Sequence, residues 1–101
     1  MTFGLDEKTS ALILDVFKKY PAIEKVKIFG SRALERHQPQ SDVDFALFGN
    51  CDPDLVGYVR ADLEALSTPY LYDAVHYALL ENKDLRDHID RVGKIFYQKM
   101  T

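Results

Sequence analysis

The spacing of apolar residues along the chain predicts helices and strands in alternation. Ile13, Val16 and Phe17 recur at helical spacing and predict a first helix. Asp6 can cap this helix, and Pro21 ends it because proline lacks the backbone N–H that a further turn needs.

Three stretches with the composition or alternation of strands follow. Residues 25–29 alternate between polar and apolar and end at Gly30. Residues 42–48 predict a second strand, which ends at Gly49. The aromatic and β-branched residues of 70–79 predict a third.

Two further helices complete the predicted fold. Asp52 and Pro53 predict the start of the second helix, with a carboxylate cap followed by proline at the first helical position. A last helix from about residue 82 is predicted to carry one apolar face, formed by Leu85, Ile89, Val92 and Phe96. The predicted order is α-β-β-α-β-α, with an additional helical turn after Gly30 left open. We therefore expect an α/β (α+β) domain in which helices pack against a small mixed sheet.

Length and composition narrow the class of protein. The 101 residues are expected to form one domain over 1–101. Thirteen Lys and Arg against sixteen Asp and Glu give a net charge of -3, which argues against direct binding to a DNA backbone. The single cysteine, Cys51, excludes an internal disulfide and fits a reducing cytoplasm. No apolar run approaches the roughly 20 residues of a membrane helix, and residues 1–7 lack the pattern of a signal peptide, so we expect a cytoplasmic protein without membrane contact.

The segment with candidate chemistry lies between the first two strands. Asp42 and Asp44 are two residues apart, so they share one face of the second strand, where two carboxylates repel each other. Such an oxygen-rich pair suits Mg²⁺. Gly30 allows close approach of a ligand to the backbone, while Ser31 and Arg32 offer a hydroxyl and a positive charge to phosphate oxygens. Each feature alone is common in proteins, but their combination is far more specific.

This combination, Gly-Ser-Arg after a strand and then Ser-Asp-Val-Asp at the start of the next, resembles the nucleotidyltransferase superfamily that includes DNA polymerase β. It is most similar to the minimal nucleotidyltransferases of prokaryotes, and the resemblance covers nearly the whole chain. It implies the nucleotidyltransferase fold and a third carboxylate on a later strand. Asp73, a lone acid in an apolar run, is the candidate.

The resemblance also implies how the site residues divide. Asp42, Asp44 and Asp73 would be the catalytic and metal-binding residues, holding two Mg²⁺ ions about 3.5–4 Å apart. The nucleotide, expected to be ATP, would be bound by the remaining motif residues, Gly30, Ser31, Arg32 and Ser41.

Minimal nucleotidyltransferases of this kind resemble the antitoxin half of two-gene modules whose other half is a HEPN-domain ribonuclease toxin. The resemblance implies transfer of AMP from ATP to a tyrosine of that toxin, which silences it. Because one small domain has little surface to enclose both substrates, we expect a partner chain or an oligomer to complete the site.

Two alternatives stay open at this point. One is a small-molecule nucleotidyltransferase, for example one acting on an aminoglycoside. The other is a non-catalytic antitoxin that neutralises its partner by binding alone. The second is motivated by Glu35, which stands where the family motif has a second glycine and adds a negative charge near the expected phosphates.

Overall fold

The computed structural model describes residues 3–34, 42–50 and 52–100 of the chain. Within these residues the fold contains three α-helices, four strands and one 3₁₀ turn. In chain order they are α1 (Glu7–Lys18), β1 (Ile23–Phe29), β2 (Val43–Gly49), α2 (Leu55–Glu64), β3 (Tyr72–His76), the 3₁₀ turn (Tyr77–Leu79), α3 (Lys83–Val92) and β4 (Lys94–Gln98).

The four strands form one mixed sheet in the order β3-β2-β1-β4. Strand β1 runs antiparallel to both β2 and β4, whereas β2 and β3 are parallel. Helix α2 connects the parallel strands β2 and β3, because a parallel pair needs a long crossover connection. Residues 30–42 connect the antiparallel strands β1 and β2. The sheet is therefore mixed, as the sequence predicts.

The larger core lies between the sheet and the pair α1 and α2. Alternate residues of β2 point into it, and Phe17 of α1 packs edge-on against Phe45 with ring centroids 5.1 Å apart. The opposite face of the sheet carries a smaller core, in which Ile89 of α3 packs on Phe29 and Ala46. The two faces are thus covered by different helices. Because successive side chains of a strand point to opposite faces, odd-numbered residues of β2 face α1 and α2 and even-numbered ones face α3.

The first helix forms as its sequence predicts. Asp6 caps it by accepting a hydrogen bond of 2.7 Å from the Thr9 N–H. The start of the second helix differs from the prediction, because α2 begins at Leu55 and Asp52 contributes only its carbonyl, which accepts from the Leu55 N–H.

The prediction for the C-terminal segment was partly wrong. Helix α3 ends at Val92, where Gly93 donates its N–H to the Ile89 carbonyl, and the following residues form β4 instead of continuing the helix. Phe96 therefore lies on a strand and contacts the larger core. Residues 94–98 are rich in β-branched and aromatic side chains, and β1 offers them a free edge for pairing.

The third strand is also shorter than predicted, since β3 ends at His76 and residues 77–79 turn. After Gly30 the chain makes one helical turn, in which the Leu34 N–H is 3.3 Å from the Gly30 carbonyl. No helix in the described part of the chain is long and apolar enough to span a membrane.

Candidate active site

Asp44 and Asp73 lie next to each other on neighbouring strands. They are partners in the register of the parallel pair β2–β3, so their Cα atoms are separated by about one strand spacing, roughly 5 Å. Both point to the face of the sheet that α3 covers, like Ala46 and Val75 two residues further on. Both also lie at the end of the sheet where β1 stops. Asp42 is exposed and precedes β2 by one residue. The fold therefore brings the three predicted carboxylates to the same end of the sheet, where β2 and β3 begin.

The Asp44 carboxyl is the electrostatic centre of this group. Partial burial raises its pKa above the usual value, and the negative charges of Asp73 and Asp42 raise it further. The positive charge of Arg32, and that of His88 when its ring is protonated, acts in the opposite direction. Ionised Asp44 is thus destabilised by its surroundings, as expected for a carboxylate that gains from a bound cation.

Gly30 leaves space for the Asp44 carboxylate. It is the first residue after β1 and has a left-handed backbone, with φ of +76°. A Cβ atom placed on Gly30 would lie 2.6 Å from Asp44 Oδ2, closer than such atoms approach in proteins. Bare backbone and a carboxylate therefore meet here, while the predicted approach of a ligand to Gly30 stays a prediction.

The donor chemistry of this end of the sheet fits a hard divalent cation. The three side chains offer only carboxylate oxygens, which Mg²⁺ prefers, and their mutual repulsion would be relieved by it. In their present positions, however, no three His, Cys, Asp or Glu side chains of the described residues are grouped to hold a metal ion. The residue types thus suit the ion, and Asp42 or Asp73 would have to move toward Asp44 to bind it jointly.

Asp73 already has two partners. Its Oδ1 accepts a 2.9 Å hydrogen bond from the Ala74 N–H and lies 3.5 Å from Arg60 Nε of α2. Both side chains of this ion pair are about half exposed, at 53% for Asp73 and 49% for Arg60. Solvent screens such a pair strongly, so Arg60 competes only weakly for the carboxylate.

Arg32 has a different environment from the one expected of a phosphate ligand. It is buried, with 1% of its surface exposed, and donates from Nη1 to the Phe3 carbonyl over 2.8 Å. Its guanidinium also lies over the Tyr70 ring, 5.0 Å from the centroid. The charge of Arg32 still lowers the pKa of Asp44. In this structure Arg32 therefore influences the site by its charge, while its head group is engaged inside the protein.

Sequence reasoning missed His88. Its Nε2 accepts a hydrogen bond of 3.2 Å from the Gly30 N–H, and its ring meets the Phe29 ring edge-on at 6.0 Å. His88 is not part of the apolar face predicted for the last helix, yet it precedes the buried Ile89 and is partly buried itself. Its position three residues after the apolar Leu85 is the pattern that could have indicated an inward-facing side chain.

The other predicted binding residues are only partly described. Ser31 is partly buried in the turn after Gly30. Ser41 and Glu35 lie outside the described residues, so their predicted effects on the phosphates stay predictions.

Cavity shape does not locate this site. One depression of about 420 Å³ lies at the other end of β2, beside Asn50 and Tyr58. Another, of about 480 Å³, lies between α1 and β4. Neither is lined by the three carboxylates, so the site is defined by register and charge.

Comparison with known families identifies the family of this chain. The family model described as polymerase beta, nucleotidyltransferase, matches residues 12–101. The chain belongs to this nucleotidyltransferase family. The match spans the predicted motif residues at 30–32 and 41–44 and all four strands. No curated protein sequence matches this nucleotidyltransferase chain.

Several solved structures share the nucleotidyltransferase fold. A toxin–antitoxin crystal structure with AMP-PNP has a TM-score of 0.74 at 17% identity, covering 89% of this chain and 73% of the other. A complex of tri-AMPylated Shewanella oneidensis HEPN toxin with MNT antitoxin gives 0.69 at 16%, covering 92% and 72%. A crystal structure described as a putative nucleotidyltransferase from Sulfolobus solfataricus has a TM-score of 0.58 at 18% identity, covering 91% of this chain and 79% of the other. At these identities the likeness establishes the fold.

Proposed function

We propose that this chain is an antitoxin that transfers AMP from ATP, with Mg²⁺, to a tyrosine hydroxyl of a HEPN-domain toxin. The observation that carries the proposal is the meeting of Asp44 with the bare backbone of Gly30, beside the in-register Asp73. A nucleotide phosphate binds where a cation held by carboxylates lies next to backbone that carries no side chain. Membership of the nucleotidyltransferase family supports the reaction type.

Each site residue has a role in the proposed transfer. Asp42, Asp44 and Asp73 would hold the Mg²⁺, which when bound would neutralise phosphate charge and lower the pKa of the acceptor hydroxyl. The Gly30–Ser31 backbone would receive the triphosphate tail through the Ser31 N–H, since the Gly30 N–H donates to His88. The buried charge of Arg32 would lie behind it.

The reaction is a single displacement at phosphorus. The acceptor oxygen forms a bond to the α-phosphorus, the bond from that phosphorus to the bridging β-phosphate oxygen breaks, and pyrophosphate leaves. The hydroxyl proton passes to a carboxylate such as the exposed Asp73, or to water. Positioning and electrostatics thus provide most of the rate enhancement.

The choice of acceptor is supported by similar structures. Complexes described as toxin–antitoxin pairs share this fold, and in one of them the HEPN toxin is AMPylated. In the present chain Asp42 and Asp73 are exposed at the end of the sheet where β2 and β3 begin. An acceptor side chain carried by a partner protein could therefore approach Asp44 directly.

A transfer assay tests the proposal. The protein is incubated with Mg²⁺, labelled ATP and the product of the neighbouring gene, and labelling of that product is measured by electrophoresis and mass spectrometry. Asp44→Asn should abolish labelling, whereas Asp87→Asn, at an exposed acid paired with Arg91, should leave it unchanged. Absence of labelling by the wild type, under conditions where an active relative labels its own toxin, would refute the proposed activity.

The ion pair of Asp73 with Arg60 favours a second candidate, an antitoxin that acts by binding alone. Because this exposed pair is weak, binding alone requires that the toxin shield it from solvent and so keep Arg60 on Asp73 in place of a metal ion. Neutralisation of the toxin by the Asp42→Asn, Asp44→Asn double variant distinguishes the two. Full neutralisation would support binding alone, and loss of neutralisation with an intact complex would support transfer.

A further inference from the structure

His88 sits between α3 and the loop that follows β1. Its ring is partly buried and meets the Phe29 ring at an interplanar angle of 78°. The neighbouring Ile89 is completely buried against the same face of the sheet. The contact with Phe29 and the anchoring of the helix by Ile89 therefore limit the orientations available to the imidazole.

The hydrogen bond from Gly30 links this helix to the site. The pairing of β1 with β2 ends at Phe29 and Asp44, so the Gly30 N–H lies beyond the last pair of the ladder. It donates to His88 Nε2 over 3.2 Å. Because Nε2 accepts, the neutral ring carries its proton on Nδ1.

Gly30 is thus fixed from two sides. Its N–H is held by His88, while Asp44 Oδ2 occupies the space where any other residue would carry its Cβ. Gly30 itself has a left-handed backbone, and it lies one residue beyond the last pair of the β1–β2 ladder, Phe29 with Asp44. The hydrogen bond to His88 on α3 therefore adds a second restraint, beyond the Phe29–Asp44 pair, on where the Gly30 backbone lies relative to Asp44.

We propose that His88 is a positioning residue, which holds the Gly30–Ser31 backbone in register with Asp44 so that a bound triphosphate is aligned for transfer. The inference rests on the proposed function for the role in transfer, and on the hydrogen bond for the role in the loop. His88 itself is not expected to contact the reacting atoms. It acts through Gly30.

A pair of substitutions separates positioning from packing. His88→Phe keeps an aromatic ring against Phe29 but removes the acceptor, whereas His88→Gln keeps an acceptor at a similar distance from the helix. We expect His88→Phe to lower kcat for AMP transfer roughly tenfold or more, with a smaller change in KM for ATP. His88→Gln should recover most of kcat, and Asp87→Asn serves as the helix control. Equal kcat in all variants, or equal loss in both His88 variants, would overturn the positioning role.

A second measurement is independent of transfer. In the wild-type protein, ¹⁵N NMR should find the imidazole proton on Nδ1, and the Gly30 amide should exchange with solvent more slowly than in His88→Phe. A proton on Nε2, or equal exchange in the two proteins, would overturn the inference. If the wild type transfers no AMP, the proposed function fails, while the NMR result still decides whether His88 holds the loop.

Discussion

Replacing Gly30 by alanine introduces one methyl group at the point where the backbone meets the Asp44 carboxylate. At φ of +76° an L-residue is strained by about 1–2 kcal/mol. For a domain of this size, that strain corresponds to a fall in Tm of about 5–15 °C. The new Cβ would also lie 2.6 Å from Asp44 Oδ2, so the carboxylate has to turn away.

The effect on transfer should exceed the effect on folding. A reacting group displaced by about 1 Å loses roughly a hundredfold in rate, so Gly30→Ala should reduce AMP transfer by about that factor in protein that remains folded. The assay measures initial rates of toxin labelling at a temperature well below the Tm of the variant. Transfer close to the wild-type rate would refute the reasoning that Asp44 needs bare backbone beside it.

Two variants control for the change of residue and for the loss of stability. Gly57→Ala makes the same substitution on α2, where the added Cβ meets nothing within 4 Å, and should raise stability by up to about 1 kcal/mol without affecting transfer. Asp6→Ala removes the cap of α1 at a cost of about 0.5–2 kcal/mol, comparable to the Gly30 strain, and should also leave transfer intact.

Three further predictions follow from charge and packing. Asp44→Asn should stabilise the metal-free protein at pH 7, because the pKa of Asp44 is raised in the folded state and its ionisation therefore costs stability as the pH rises. In thermal melts the gain should vanish as the pH falls toward 3.8, the pKa of this carboxyl in the unfolded chain. Arg60→Gln should tighten Mn²⁺ binding about two- to fivefold in calorimetry, since an exposed ion pair with Asp73 is worth roughly 0.3–1 kcal/mol. Phe45→Ala should lower the free energy of unfolding by about 3–5 kcal/mol in urea titrations, because this fully buried ring packs against Phe17.

Each of these has a contradicting result. A pH-independent gain from Asp44→Asn would mean that the carboxylate cluster does not destabilise the fold. Unchanged or weaker Mn²⁺ binding by Arg60→Gln would show that Arg60 does not compete for Asp73. A loss below 1 kcal/mol in Phe45→Ala would show that the larger core does not depend on this ring.

The elements nearest the site could be predicted from sequence because their patterns are local. Alternation in 25–29, and the two-residue period of a strand over 42–48, predict which face each residue occupies, and from this Asp42 and Asp44 are expected on one face. The pairing of Asp44 with Asp73 is a long-range register, which local spacing cannot provide. Only the family resemblance indicated that a third carboxylate belonged there.

The features that sequence missed depend on tertiary contacts. Strand β4 exists because β1 offers a free edge, and helical spacing of Phe96 with the preceding residues hid it. The burial of Arg32 requires the carbonyl of Phe3, about thirty residues earlier. The role of His88 depends on one backbone N–H, that of Gly30, which no periodicity in the sequence marks.

The most direct test of the central claim is a structure of the protein with Mg²⁺ and a non-hydrolysable ATP analogue. The account predicts that the carboxylates of Asp42, Asp44 and Asp73 converge on bound metal, with the triphosphate against the Gly30–Ser31 backbone. A triphosphate bound elsewhere, or metal that does not contact Asp44, would contradict it.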